Sequence, residues 1–239
     1  MRIDAQPSPN FGDRKLPVSM LVLHYTGMES GEAALDRMLD PASEVSAHYM
    51  VWEDGRVTRL VGEDKRAWHA GRAEWRGVTD VNSASIGIEI VNGGHDFGLP
   101  DYPDAQINAL VPLCKRLVMD YAIRPQDVVG HSDIAPERKN DPGETFPWAG
   151  LAAAGIGLWP GAGNGDRRVL FEAGDRDRGV SLLQRGLSGI GYGVSIDGIM
   201  TDRTVAVLRA FQRRYRPAKV DGIADMETFE LVARLANAL

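Results

Sequence analysis

The chain has one cysteine among its 239 residues, Cys114. No disulfide can form within it, so cysteine usage leaves the redox compartment open. Cys114 falls in "ALVPLCKRLVMDY", whose spacing predicts an amphipathic helix, and it reads there as a small buried apolar residue. Long apolar runs are missing as well: none approaches the ~20 residues that cross a bilayer. The opening "MRIDAQPSPNFGDRKLPVSM" has neither the apolar stretch nor the small-residue cleavage site of a leader. A cytoplasmic protein is therefore the expectation, with export the alternative if a leader has been removed. An excess of positive charge is lacking too: the formal net charge is −6. A nucleic-acid partner is accordingly not expected. What is present is ordinary for a globular chain, 44% apolar and 25% charged residues. The length suits one large and one small domain with cores of normal size.

Residues 1–17 read as an irregular lead-in. "SMLVLHYT" and "SIGIEIVN" are continuous apolar runs with β-branched residues, the pattern of buried strands. "SGEAALDRMLD" is a helix with Ser30 as its N-cap. "SAHYMVWEDGRVTRLV" is two alternating runs about Asp54-Gly55, a hairpin signal. "DAQINALVPLCKRLVMDY" is a long helix in which Pro112 is a mild irregularity, and "QDVVGHSD" is a last short strand. The fold class expected is α/β, a mixed central sheet flanked by helices. Glycine and Pro160 dominate "GIGLWPGAGNGDRR", which reads as a linker. Beyond it, "IDGIMTDRT" and "VDGIADMET" repeat one pattern, each Asp-Gly a turn ahead of a helix. With "VSLLQRGLSGIGY" they predict a small three-helix domain. The division expected is 1–155, a linker over 156–168, and 169–239.

Three residues invite a metal. His24 and His131 fall at strand ends, and Asp141 follows in the Pro-flanked loop "GHSDIAPERKNDPG". Two imidazoles and a carboxylate make a three-ligand zinc set that leaves a position for water. Each alone reads better as a satisfied hydrogen-bonding group. Glu89 stands inside an apolar strand, where an unpaired carboxylate is costly. It is either half of a buried ion pair or a general base tuned by burial. Lys139 sits two residues before Asp141, so in extended chain the two share a face. There it is either a solvated loop lysine or a stabiliser of a developing oxyanion.

The blocks "LVLHYT", "SAHYMV", "RAWHAG", "SIGIEIVN" and "GHSDIAPERKNDPG", in that order over residues 18–150, resemble the zinc-dependent N-acetylmuramoyl-L-alanine amidases, relatives of the peptidoglycan recognition proteins. The tail, with its D-G-I pair and "AFQ", is similar to a peptidoglycan-binding domain. The resemblance implies Zn²⁺ as cofactor, with His24, His131 and Asp141 as ligands, Glu89 as catalytic glutamate and Lys139 as the basic residue near the metal. It implies hydrolysis of the amide between muramic acid and L-alanine, with peptidoglycan fragments or muropeptides as partners. His48 matches a family block without being a ligand, and a structural or groove-lining role is expected of it. Trp68 and His69 are expected to line the substrate groove, and His95 to face solvent. The oligomeric state is not legible, a monomer being the default. Two other readings stay open: a non-catalytic peptidoglycan receptor and a zinc peptidase acting on the stem peptide.

Overall fold

The computed structural model describes residues 2–239. In chain order its first part comprises β1 (Ile3–Ala5), β2 (Phe11–Asp13), β3 (Met20–Tyr25), α1 (Gly31–Leu39), β4 (Tyr49–Val51), β5 (Val57–Arg59), β6 (Lys65–Ala67), α2 (Val81–Ala84), β7 (Ser85–Ile90), α3 (Asp104–Asp120), β8 (Val128–Gly130), α4 (His131–Ile134) and α5 (Trp148–Ala153). Six strands form one sheet in the order β1-β5-β4-β7-β3-β8. The two apolar runs, β3 and β7, are parallel neighbours at its centre. Both faces are covered, which is why they show no polar alternation. Strands β8 and β4 flank them in the same sense, and the antiparallel pair is the expected hairpin, with Tyr49 opposite Arg59. The sheet is therefore mixed, as the alternating pattern implied.

Helix α1 starts at Ser30, whose hydroxyl accepts from the Ala33 N–H. Helix α3 contains Pro112 and buries Leu110, Leu113, Cys114 and Leu117 in a core with Leu21, Ile86 and Ile88 of the sheet. The lead-in is more ordered than its sequence suggests. Strand β1 extends the sheet edge parallel to β5, and β2 pairs with β6. Arg14 then threads between loops, donating to the carbonyls of Ser85 at 2.9 Å and Lys65 at 2.7 Å. Three-residue strands carry no readable period, and the acceptors of Arg14 lie far along the chain.

The second part holds β9 (Val169–Phe171), α6 (Arg178–Ile190), α7 (Asp202–Tyr215), β10 (Ala224–Asp225) and α8 (Met226–Asn237). The three helices were expected; the small β9–β10 ribbon was not. The repeat has a physical cause. Gly198 and Gly222 take φ of 75° and 78°, a left-handed turn that favours glycine. Each turn is clamped by a buried glutamine of the preceding helix. Gln184 accepts from the N–H groups of Asp197 and Gly198 and donates to Ile199 O. Gln212 accepts from Asp221 and Gly222 and donates to Ile223 O.

The helical part is not freely tethered. Val180, Leu187, Tyr192, Phe211 and Leu231 share one core with Met20, Val22, Trp75, Val129 and Ile134 of the sheet region. At the junction Arg214 Nη1 donates to Asp133 Oδ2 at 2.7 Å, Arg214 Nη2 donates to Val128 O at 2.9 Å, and the Tyr192 hydroxyl donates to Asp133 Oδ1 at 2.6 Å. The glycine-rich segment between the parts has neither helix nor strand from residue 158 to residue 168. It is nevertheless held down: Arg234 donates to the carbonyls of Pro160 and Ala162.

Candidate active site

Parallel strands place their carboxyl ends along one edge, where open α/β sheets carry their sites. His24 is the fifth residue of β3, and Glu89 is its direct register partner on β7. His131 begins α4 immediately after β8, so it opens a helical turn where the sequence suggested a strand end. The following loop returns to this edge because Ser132 N–H donates to Asp141 O at 2.9 Å. His24, His131 and Asp141, far apart in sequence, thus offer ligand atoms that all lie within 4.8 Å of one another.

Hydrogen-bond directions show what these atoms can do. The Ser85 hydroxyl donates to Val81 O at 2.6 Å, so it accepts from His69 Nε2 at 3.2 Å. His69 Nδ1 is then an acceptor, and it takes the Nε2–H of His24 at 3.0 Å. His131 Nε2 lies 3.0 Å from the carbonyl of Ala70, which can only accept, so it too carries the proton. Both Nδ1 atoms are left as bare lone pairs. They lie 3.0 Å from each other and each 3.0 Å from Asp141 Oδ2. Three acceptors with no proton among them repel unless a cation sits between them, and this N, N, O set suits a divalent ion such as zinc. Charges follow the same geometry. Burial raises the Asp141 carboxyl; protons on His131 and His24, in the absence of a cation, would overcome this and hold the group well below its usual range, and a bound cation would supply the same positive charge in their place. Burial, then His131, lowers His24 to about 4, so the ring stays neutral as a ligand must.

The cluster lies at the base of a cleft of about 410 Å³ whose wall includes Tyr25, Trp68, Glu89, His95, Arg138 and Lys139. Glu89 Oε2 is buried and makes no hydrogen bond among the described residues. Burial and then Asp141 push its carboxyl well above the ordinary value, while Lys139 pulls it down. A second polar cleft, about 940 Å³, opens at the junction with the helical part, between Arg72 and Arg203, and lacks the trio.

The family model for N-acetylmuramoyl-L-alanine amidases matches residues 14–144, and that for a putative peptidoglycan binding domain matches residues 176–232. The chain belongs to the N-acetylmuramoyl-L-alanine amidase family. The amidase is 41% identical over 229 residues to the Escherichia coli N-acetylmuramoyl-L-alanine amidase AmiD, covering 88% of this chain and 79% of that one. It is 35% identical to the E. coli 1,6-anhydro-N-acetylmuramyl-L-alanine amidase AmpD, over 60% of this chain and 86% of AmpD. Its fold superposes on E. coli AmiD in complex with the substrate anhydro-N-acetylmuramic acid-L-Ala-D-γ-Glu-L-Lys with a TM-score of 0.78, at 36% identity, covering 95% of this chain and 92% of that one. The Pseudomonas aeruginosa AmpDh3 complex with an anhydromuramic pentapeptide gives 0.73, at 34% identity, over 98% and 94%. The amidase is thus an enzyme of muramoyl-L-alanine cleavage in peptidoglycan turnover or recycling. Among the described residues no helix is long and apolar enough to cross a membrane.

Three expectations need correcting. The cytoplasmic location rested on how the first residues read. The relatives do not share that location: AmiD is a periplasmic or outer-membrane-associated lipoprotein, while AmpD is cytoplasmic. His48 does not line the groove. It is fully buried, accepting from Gly87 N–H through Nδ1 and bonding Lys65 O through Nε2. His69 reaches the cleft wall, but both ring nitrogens are engaged, so neither is left for a substrate. It backs His24, and Gly87 makes room for it: a Cβ there would meet the His69 ring at 2.4 Å. Trp68 is half-buried in the cleft wall and Lys139 stands beside Asp141. His95 is exposed, as expected, and stands in the cleft wall with Tyr25. The direct partners of His69 and His95 lie many residues away, so no local pattern announced either role.

Proposed function

We propose that the chain is a zinc-dependent amidase that cleaves the bond between the lactyl group of muramic or anhydro-muramic acid and L-alanine of the stem peptide. The observation that carries this reading is the convergence of ligand atoms of His24, His131 and Asp141 within 4.8 Å of one another, with the unpartnered Glu89 Oε2 in the same cleft. Zinc held by those three side chains would polarise the scissile carbonyl, acidify a water and keep Glu89 ionised. Glu89 takes the proton of the attacking water and passes it to the departing amine, which an amide's poor leaving group demands. Lys139, in the cleft wall beside Asp141, offers its ammonium to the oxyanion of the tetrahedral intermediate. Trp68 supplies a flat apolar surface for the sugar or the lactyl arm. His69 and Ala70 O hold the two imidazoles in the tautomer that ligation requires.

We assign catalysis to residues 1–155, with 156–168 joining it to a wall-binding region, 169–239. Peptidoglycan fragments are the partners, and the anhydro-muramyl peptides in the complexes of AmiD and AmpDh3 favour muropeptides among them. Mass spectrometry of a defined anhydro-muropeptide after incubation is the test. Free peptide plus intact sugar supports the reading; shortened stems would mean a peptidase, and no product a receptor. Chelation should abolish turnover and zinc should restore it, with the circular dichroism unchanged throughout.

A further inference from the structure

Arg213, on α7 of the helical part, reaches the cleft through three successive hydrogen bonds. Its Nε donates to Glu144 Oε1 at 2.9 Å. The other oxygen, Oε2, is 2.9 Å from His95 Nε2, and His95 Nδ1 is 3.0 Å from the Tyr25 hydroxyl. A carboxylate only accepts, so the neutral His95 ring carries its proton on Nε2 and Nδ1 is an acceptor. The Tyr25 O–H therefore donates to Nδ1, and the lone pairs of its oxygen remain for a ligand. Tyr25 and His95 both stand in the cleft wall. The anchoring pair is not a loose surface contact, since the side chains of Arg213 and Glu144 are 11% and 21% exposed. The guanidinium only donates, so it pins the Glu144 carboxylate in place, and the carboxylate, which only accepts, sets the polarity of the series.

We propose that Arg213 is a positioning residue for substrate binding: it holds Glu144, Glu144 sets the His95 tautomer, and Tyr25 is thereby presented as a hydrogen-bond acceptor to an N–H or O–H of the muropeptide. The proposal rests on the amidase reading of the cleft. It gives the helical part a share in binding at the active site without touching the ligand.

The test uses the zinc-loaded enzyme and one defined anhydro-muropeptide, measuring kcat, KM and calorimetric Kd for the wild type, Tyr25→Phe, Glu144→Gln, Arg213→Ala and Arg213→Lys. Glutamine keeps the shape of Glu144 but its amide cannot accept from both neighbours. In Glu144→Gln and Arg213→Ala, KM and Kd should rise about fivefold, the size of one neutral hydrogen bond, with kcat within about twofold. Zinc affinity should not move, and Arg213→Lys should recover most of the loss. Adding Arg213→Ala to Tyr25→Phe should cost nothing further, because both interrupt the same series. The proposal is overturned if Tyr25→Phe weakens binding while Glu144→Gln and Arg213→Ala leave KM and Kd at wild-type values, or if the two effects simply add. Should the wild type release no product, the amidase reading fails, and the Kd series alone still decides on Arg213.

Discussion

Replacing Arg214 by methionine asks how firmly the helical part is joined to the sheet. Arg214 and Asp133 are 3% and 1% exposed, and their contact is 2.7 Å. Besides Arg214, the Asp133 carboxylate accepts from Gly130 N–H at 2.8 Å and from the Tyr192 hydroxyl at 2.6 Å. Without the guanidinium, a buried anion keeps two neutral donors and no cation, a change of about 3–5 kcal/mol. The Val128 carbonyl loses a donor, and Trp148 loses the cation 4.1 Å above its ring, adding about 1 kcal/mol. A total of about 4–6 kcal/mol is a large share of a typical 5–15 kcal/mol stability. For a chain of this length it corresponds to a fall in Tm of roughly 10–20 °C. Differential scanning calorimetry at fixed pH and zinc should show this fall, with one endotherm before and after, since both parts share a core. Asp133→Leu combined with Arg214→Met should lose less than the single change, because the stranded charge has gone. A fall of less than about 3 °C, or two separate endotherms in the wild type, would refute the reasoning.

Glu89→Gln should lower kcat by on the order of 10²–10⁴-fold with zinc content unchanged, as measured by steady-state kinetics and metal analysis; full activity would remove Glu89 from the proton transfer. His69→Ala should weaken zinc binding by about 10–100-fold in a competition titration, since His24 loses the acceptor that fixes its tautomer. His48 gives an acid dependence. Burial holds its folded pKa at about 4, against ~6.5 in the unfolded chain, so the unfolded state binds the extra proton. Stability is therefore full above pH 6.5 and falls by on the order of 3 kcal/mol as pH drops toward 4. Urea unfolding across that window should show a shallower slope for His48→Gln, and an identical slope would exclude His48 as the source.

The elements that could be read in the sequence are those with a local cause. The central strands announced themselves as apolar runs because both faces are covered, and the hairpin through alternation about Asp54-Gly55. Ser30 was legible because a capping hydroxyl acts three residues away. The candidate metal site was different: spacing alone left His24, His131 and Asp141 open, and five ordered blocks singled them out by resemblance. Long-range partners left no trace. Nothing near Arg14 points to the carbonyls of Ser85 and Lys65, and nothing in "AWHAG" says that His69 will meet His24 and Ser85. The D-G-I repeat was visible, while Gln184 and Gln212, which explain it, looked like ordinary helical residues.

The ion pair under His131 bears on how such enzymes can be recombined. A cassette that can be cut out and grafted elsewhere needs a finished outer surface. Here the seam runs through Asp133, two residues from His131 of the candidate site, and through the apolar side chains of Trp75 and Ile134. A chimera that exchanges the tail for a foreign binder would have to redesign that seam, or it would inherit an unneutralised buried carboxylate in the same short helix as His131.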